Sequence, residues 1–97
     1  MKRVTITYTR QSADTPWYWQ IAPNSAFSSM DAFLDENATR MEESGYTIGN
    51  QNIVVLTFND DQCHDEFQAL VDADVKSDYV QYCEDNNITI DVVTEDV

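Results

Sequence analysis

Residues 3–9 alternate without a break: Val4, Ile6 and Tyr8 fall on one side, Thr5, Thr7 and Thr9 on the other. Period-two alternation of good β-formers predicts a strand with one face against a core. Two turn signals follow, Asp14-Thr15-Pro16 and Pro23-Asn24-Ser25, with Trp17 to Ile21 between them as a short extended piece. The period then changes. Met30, Phe33, Leu34, Ala38 and Met41 recur at helical spacing, which predicts a helix over residues 29–44. Ser28 and Asp31 resemble a capping box at its start, and Gly45 is placed to end it.

Tyr46 and Ile48 predict a short strand, Gly49-Asn50 a hairpin turn, and Asn52 to Phe58 a longer strand. In the longer strand Val54, Leu56 and Phe58 face one way and Ile53, Val55 and Thr57 the other, so both faces ask for cover. Asn59, Asp60 and Asp61 offer caps for a second helical region that runs to Asn86-Asn87. Its two inward stripes, Cys63-Phe67-Leu70-Val71 and Val75-Tyr79-Tyr82-Cys83, reconcile only with a break near Ala73-Asp74. Ile88, Ile90 and Val92 then alternate as a last strand.

The order βαββαβ predicts one ferredoxin-like α+β domain over residues 1–97, a four-stranded antiparallel sheet with two helices on one face. The uncovered face would carry Thr5, Thr7, Ile53, Val55 and Val93, too apolar at its centre to stay wet. A homodimer packed through Ile53 and Val55 is the expected remedy.

Charge narrows the partners. Eighteen acids stand against five bases, a net charge of −13, and all of the excess lies in residues 41–97. Such a field repels nucleic-acid backbones and anionic lipid and favours a basic protein partner or plain solvation. An aspartate-rich, lysine-poor composition also suits salty surroundings. No apolar run approaches the roughly 20 residues that span a bilayer, and the start does not resemble an export signal. A cytoplasmic location is therefore expected, with no membrane partner and with Cys63 and Cys83 as buried free thiols.

Phe58-Asn59-Asp60 leading into a helix, Phe67 within it, Asp72-Ala73-Asp74-Val75, Tyr79, Tyr82 and Asn86-Asn87-Ile88 make the chain resemble a dimeric α+β barrel. That is the architecture of antibiotic-biosynthesis-monooxygenase-like domains. The opening Val4 to Arg10, with Asp14 to Trp19, is also similar to small proteins of tailed phages that infect marine cyanobacteria. The barrel resemblance implies fold and dimerisation. Its cofactor-free members line a cavity between sheet and helices with polar and aromatic side chains, places that Trp17, Trp19, Tyr46 or Asn52 could take here.

Candidate chemistry is sparse. Asp60, Asp61, His64 and Asp65 sit within one and a half helical turns, but a single helix lacks ligands from elsewhere, so capping and surface charge explain them and no metal is expected. Cys63 has no histidine at useful spacing, and no nucleophile, base and orienter come together, so no catalytic residue and no cofactor is expected. The leading expectation is a non-enzymatic acidic interaction protein, of the phage accessory or virion-associated kind that the second resemblance implies. It would bind a basic partner through Asp35, Glu42, Glu43, Asp65, Glu66, Asp72 and Asp78 on the outer sides of the helices. One alternative is a small cofactor-free oxidative enzyme with a pocket at Trp17, Trp19 and Tyr46. Another is a nucleic-acid mimic that occupies a DNA-binding protein. A cavity of a few hundred Å³ under the tryptophan segment would favour the enzyme.

Overall fold

The computed structural model describes residues 1–21 and 28–97, with Ser28 and residues 74–78 described in their backbone alone. The expected Pro23-Asn24-Ser25 breaker lies outside the described residues. The elements are β1 (Lys2–Thr9), α1 (Tyr18–Ile21), α2 (Ser28–Glu36), β2 (Met41–Ile48), β3 (Gln51–Phe58), α3 (Asp61–Leu70), a π-helical turn (Val71–Val75), α4 (Lys76–Asp85) and β4 (Thr89–Asp96). The strands form one antiparallel sheet in the order β2-β3-β1-β4, the ferredoxin-like arrangement.

Register explains the sidedness. Val4 faces Leu56, Ile6 faces Val54 and Tyr8 faces Asn52 on β3, while Ile6 faces Val92 and Tyr8 faces Ile90 on β4. These positions share the face that the helices cover. Two linked clusters fill it: Val4, Met41, Leu56, Phe58, Cys63 and Phe67 at one end, and Tyr8, Trp17, Cys83 and Ile88 at the other. Phe58 and Cys63 are fully buried. Cys63 and Cys83 are free thiols in separate clusters. Burial pushes both thiols above the ordinary range.

The expected break in the second helix is the π-helical turn at Val71–Val75; Cys63, Phe67 and Val71 before it and Tyr79, Tyr82 and Cys83 after it pack into the two core clusters. Asp60 caps α3, its side chain accepting from the Cys63 N–H at 2.7 Å. At the far end Asn87 takes a left-handed φ of 56°. The Ile88 N–H reaches the Cys83 carbonyl at 2.8 Å, and the Asn87 N–H reaches that of Glu84 at 3.3 Å. This is a Schellman ending, completed by the shared burial of Ile88 and Cys83. In the β2–β3 hairpin Gly49 takes a φ of 58°, as the first central residue of a tight turn requires.

Two expectations are corrected. The first long helix stops at Glu36, and residues 41–44 belong to strand β2. Asn37 ends it, its side-chain amide bonding the Phe33 carbonyl at 2.9 Å, and the Arg40 N–H then bonds the Asn37 carbonyl at 2.8 Å to close a turn. Met41 pairs with Phe58 and is buried, so its apolar character belongs to a sheet position. Gly45 accordingly sits inside β2 and ends no helix; a Cβ there would come within 3.0 Å of the Ile53 carbonyl oxygen. The second correction is at Trp17 to Ile21, where a helical turn replaces the extended piece. The Gln20 side chain accepts from the Trp17 N–H at 2.8 Å and fixes that turn.

The opposite face of the sheet carries Thr5, Thr7, Ile53, Val55, Tyr46 and Val93, and no described helix packs on it. Ile53 and Val55 are half-buried, whereas Tyr46 and Val93 are exposed.

Candidate ligand-binding cleft

Between the helix-covered face and the helices lies a cleft of about 660 Å³. Its floor is Ile6 and Tyr8 from β1, Asn52, Val54 and Leu56 from β3, Gly45 and Glu43 from β2, and Val92 from β4. Its walls come from Met30, Asp31 and Leu34 of α2, His64, Phe67 and Gln68 of α3, Val71, Tyr79 of α4, and Trp19 of α1. The space exists because β2 is an edge strand that presents Glu43, Gly45 and Thr47 on this face rather than large apolar groups. Among the described helices, α3 packs on β3 and α4 on β4.

One end of the cleft is aromatic. Tyr8 meets Trp19 edge-to-face at 5.4 Å between ring centroids and Tyr79 at 6.4 Å. Trp19 in turn stacks on Trp17, 5.4 Å apart and tilted by only 7°. Trp17 is buried behind it, and the Arg10 guanidinium covers its ring at 4.5 Å. Arg10 also donates to the Thr15 carbonyl at 2.9 Å, and the Tyr82 hydroxyl donates to the Pro16 carbonyl. These bonds pin the tryptophan turn to β1 and α4. Burial, with the neighbouring Tyr79, holds the Tyr8 hydroxyl far above the usual phenol range, so it stays protonated.

The opposite side of the cleft is acidic. Asp31 at the start of α2 and Glu43 on β2 both line it, and both are exposed residues. The sheet and helix around the Glu43 carboxyl partly strip its solvent and push its pKa up, and the Asp31 charge pushes the same way. Asn52 adds a neutral polar group. Its amide donates to the Thr47 hydroxyl at 2.9 Å, while its buried Oδ1 has no hydrogen-bond partner among the described residues. An unsatisfied buried acceptor costs about 1–3 kcal/mol. The His64 Nδ1 lies 3.1 Å from the Asp65 carboxylate, and its ring stands edge-to-face on Phe58.

The residues anticipated as a pocket separate. Trp19 lines the cleft, Trp17 supports it from behind, and Tyr46, paired with Ile53, stands on the opposite sheet face. The residues anticipated as one acidic helix surface also separate, because Glu42 and Glu43 are strand residues whose side chains alternate between the two sheet faces. Asp35 is exposed on α2, as are Asp65 and Glu66 on α3, with Asp72 exposed just after α3; Glu66 is held by Arg40 at 3.3 Å. The Asp78 side chain lies outside the described residues. Among the described residues no group of three or more His, Cys, Asp or Glu side chains gathers as a metal site, and no helix is long and apolar enough to cross a membrane. Sequence reasoning missed Asp31 and Glu43 as cleft residues, since it took Asp31 for a capping residue and put Glu43 on the outer side of a helix. The polar alternation Glu43-Gly45-Thr47, against a buried Met41, was the only available signal.

No family model matches the chain, and no curated protein matches it. Among solved structures, a candidate antibiotic biosynthesis monooxygenase from Deinococcus radiodurans superposes with a TM-score of 0.56 at 7% identity, covering 100% of this chain and 92% of that one. A candidate amidohydrolase/peptidase from Burkholderia cenocepacia gives a TM-score of 0.46 at 11% identity, over 98% of this chain and 27% of that one. At 7% identity the first likeness speaks to the fold alone. The chain has a ferredoxin-like α+β fold, which it shares with the antibiotic biosynthesis monooxygenase-like structure.

Proposed function

We propose that this protein binds an apolar, ring-bearing small molecule in the cleft between its sheet and helices. The observation that carries this reading is the 660 Å³ of space bounded by Tyr8, Trp19, Tyr79, Phe67 and aliphatic side chains, a size and lining typical of preformed ligand sites. Trp19 is 41% exposed at the rim, where a flat aromatic ligand would cover it. The fold likeness makes oxidation of the bound ring by dioxygen, without metal or organic cofactor, the activity to assay first. Electron-rich polycyclic phenols are its natural substrates to try. Two copies paired through Ile53, Val55, Tyr46 and Val93 would bury the apolar sheet face and leave both clefts open.

The direct test uses N-phenylnaphthylamine, a neutral probe that fluoresces in apolar sites. It should bind the native protein and bind Trp19→Ala roughly tenfold more weakly, since a ring contact contributes about 0.5–1.5 kcal/mol beyond its buried area. Absence of binding, or equal binding by the variant, overturns the reading. Oxygen uptake with the phenol panel then separates an enzyme from a carrier.

An acidic surface offered to a basic protein remains a second reading, supported by the exposed carboxylates of Asp35, Asp65 and Asp72. Loss of capture from host lysate on replacing these three by Asn, with probe binding unchanged, would favour it.

A further inference from the structure

The cleft has a charge as well as a shape. We propose that it selects a cationic aromatic ligand, an arylalkyl amine or quaternary ammonium, whose ring lies against Tyr8 and Trp19 and whose positive charge sits at Glu43 and Asp31. This rests on the ligand-binding reading above and adds the ligand's charge to it.

Three independent observations point the same way. The described lining holds two carboxylates and no lysine or arginine. Arg10, the base nearest the aromatic end in sequence, is turned to the far side, over Trp17 and onto the Thr15 carbonyl. Among the described lining residues an anionic ligand would therefore meet only the His64 imidazole, and a cation would find two carboxylates.

Acceptors are at hand for the N–H groups of an ammonium: the Asp31 and Glu43 carboxylates, and the Asn52 Oδ1, which has no partner among the described residues. The ring faces at the other end complete the match, because aromatic faces attract cations and the chain's −13 charge draws them in from solution.

Both ends belong to one space: Tyr8 and Trp19 line the same cleft as Asp31 and Glu43.

The test compares three molecules sharing one ring: naphthylmethylammonium, naphthylmethanol and naphthoate, titrated by tryptophan fluorescence and by amide chemical shifts. The ammonium should bind roughly tenfold more tightly than the alcohol, and the carboxylate should not bind detectably. Glu43→Gln combined with Asp31→Asn should erase the advantage of the ammonium over the alcohol. Asp91→Asn with Glu95→Gln removes the same charge from the opposite sheet face and should leave the advantage in place. If the alcohol binds as well as the ammonium, the charge inference is overturned and the cleft reading stands. An advantage that survives the Glu43 and Asp31 changes overturns it too, since the overall field is then its source. If none of the three binds, both readings fail.

Discussion

Arg40 and Asp60 meet in a two-pronged pair, Nη2 to Oδ1 at 2.9 Å and Nε to Oδ2 at 3.2 Å. Asp60 is also the cap of α3, taking the Cys63 N–H on the same Oδ1. One carboxylate thus ties the turn before β2 to the start of α3, and one of the chain's five bases is used to hold it. Asn59 reinforces the joint, its backbone N–H reaching the Arg40 carbonyl at 2.8 Å and its amide the Thr39 carbonyl at 3.0 Å. Arg40, with the Cys63 N–H, holds the Asp60 carboxyl below the ordinary range. A depressed carboxylate pKa gives stability that is present above the unfolded value of about 3.9 and is lost as pH falls through the folded value. Arg40→Met should lower the thermal midpoint at neutral pH and flatten the loss of stability on acidification below about pH 4. Thermal melts of both proteins across that range check it, and parallel acid profiles would refute it.

Glu43 has the opposite sign. Its pKa is raised in the folded state, by partial desolvation first and by Asp31 second. The charged form therefore opposes folding above that raised value, and protonation relieves the cost as pH falls through it. Glu43→Gln should raise the melting temperature at neutral pH, and the gain should fade in mild acid. A variant equal to or less stable than the native protein at pH 7 would contradict this.

The open sheet face should make a dimer. Ile53 and Val55 are its centre, flanked by Tyr46 and Val93. Ile53 and Val55 are already half-buried, so most of the apolar surface that pairing removes from water comes from the exposed Tyr46 and Val93. Light scattering at micromolar concentration should report a dimer for the native chain and a monomer for Val55→Asp, with far-UV circular dichroism unchanged. A native monomer would overturn the expectation.

Phe58 is the centre of the larger core cluster, with no exposed surface and with the rings of Phe67 at 5.6 Å and His64 at 5.3 Å. Phe58→Ala should cost about 3–5 kcal/mol. The total stability of a domain is typically about 5–15 kcal/mol, so the variant should be largely unfolded at modest urea concentrations. A urea midpoint near that of the native protein would show that the core closes over the gap.

Elements that bury a continuous face announced themselves along the chain. β1 and the start of β4 alternate because one side of each meets the helix layer, β3 is apolar on both faces, and the 61–85 region shows two stripes because a π-helical turn joins two helices. The ending at Asn86-Asn87 and the hairpin at Gly49-Asn50 were legible because backbone conformations with positive φ admit few residue types. β2 was not legible. An edge strand pairs on one side only and buries Met41 alone, so it needs no alternating pattern, and Met41 at helical spacing from Leu34 imitated a longer helix. The cleft was hidden for the same reason. Its aromatic end draws on β1, α1 and α4, and its acidic side on α2 and β2, segments far apart in sequence. Local periodicity reports how much of a segment is buried; which distant segments meet, and what charge they bring to one space, is decided only when the sheet closes and the helices settle across it.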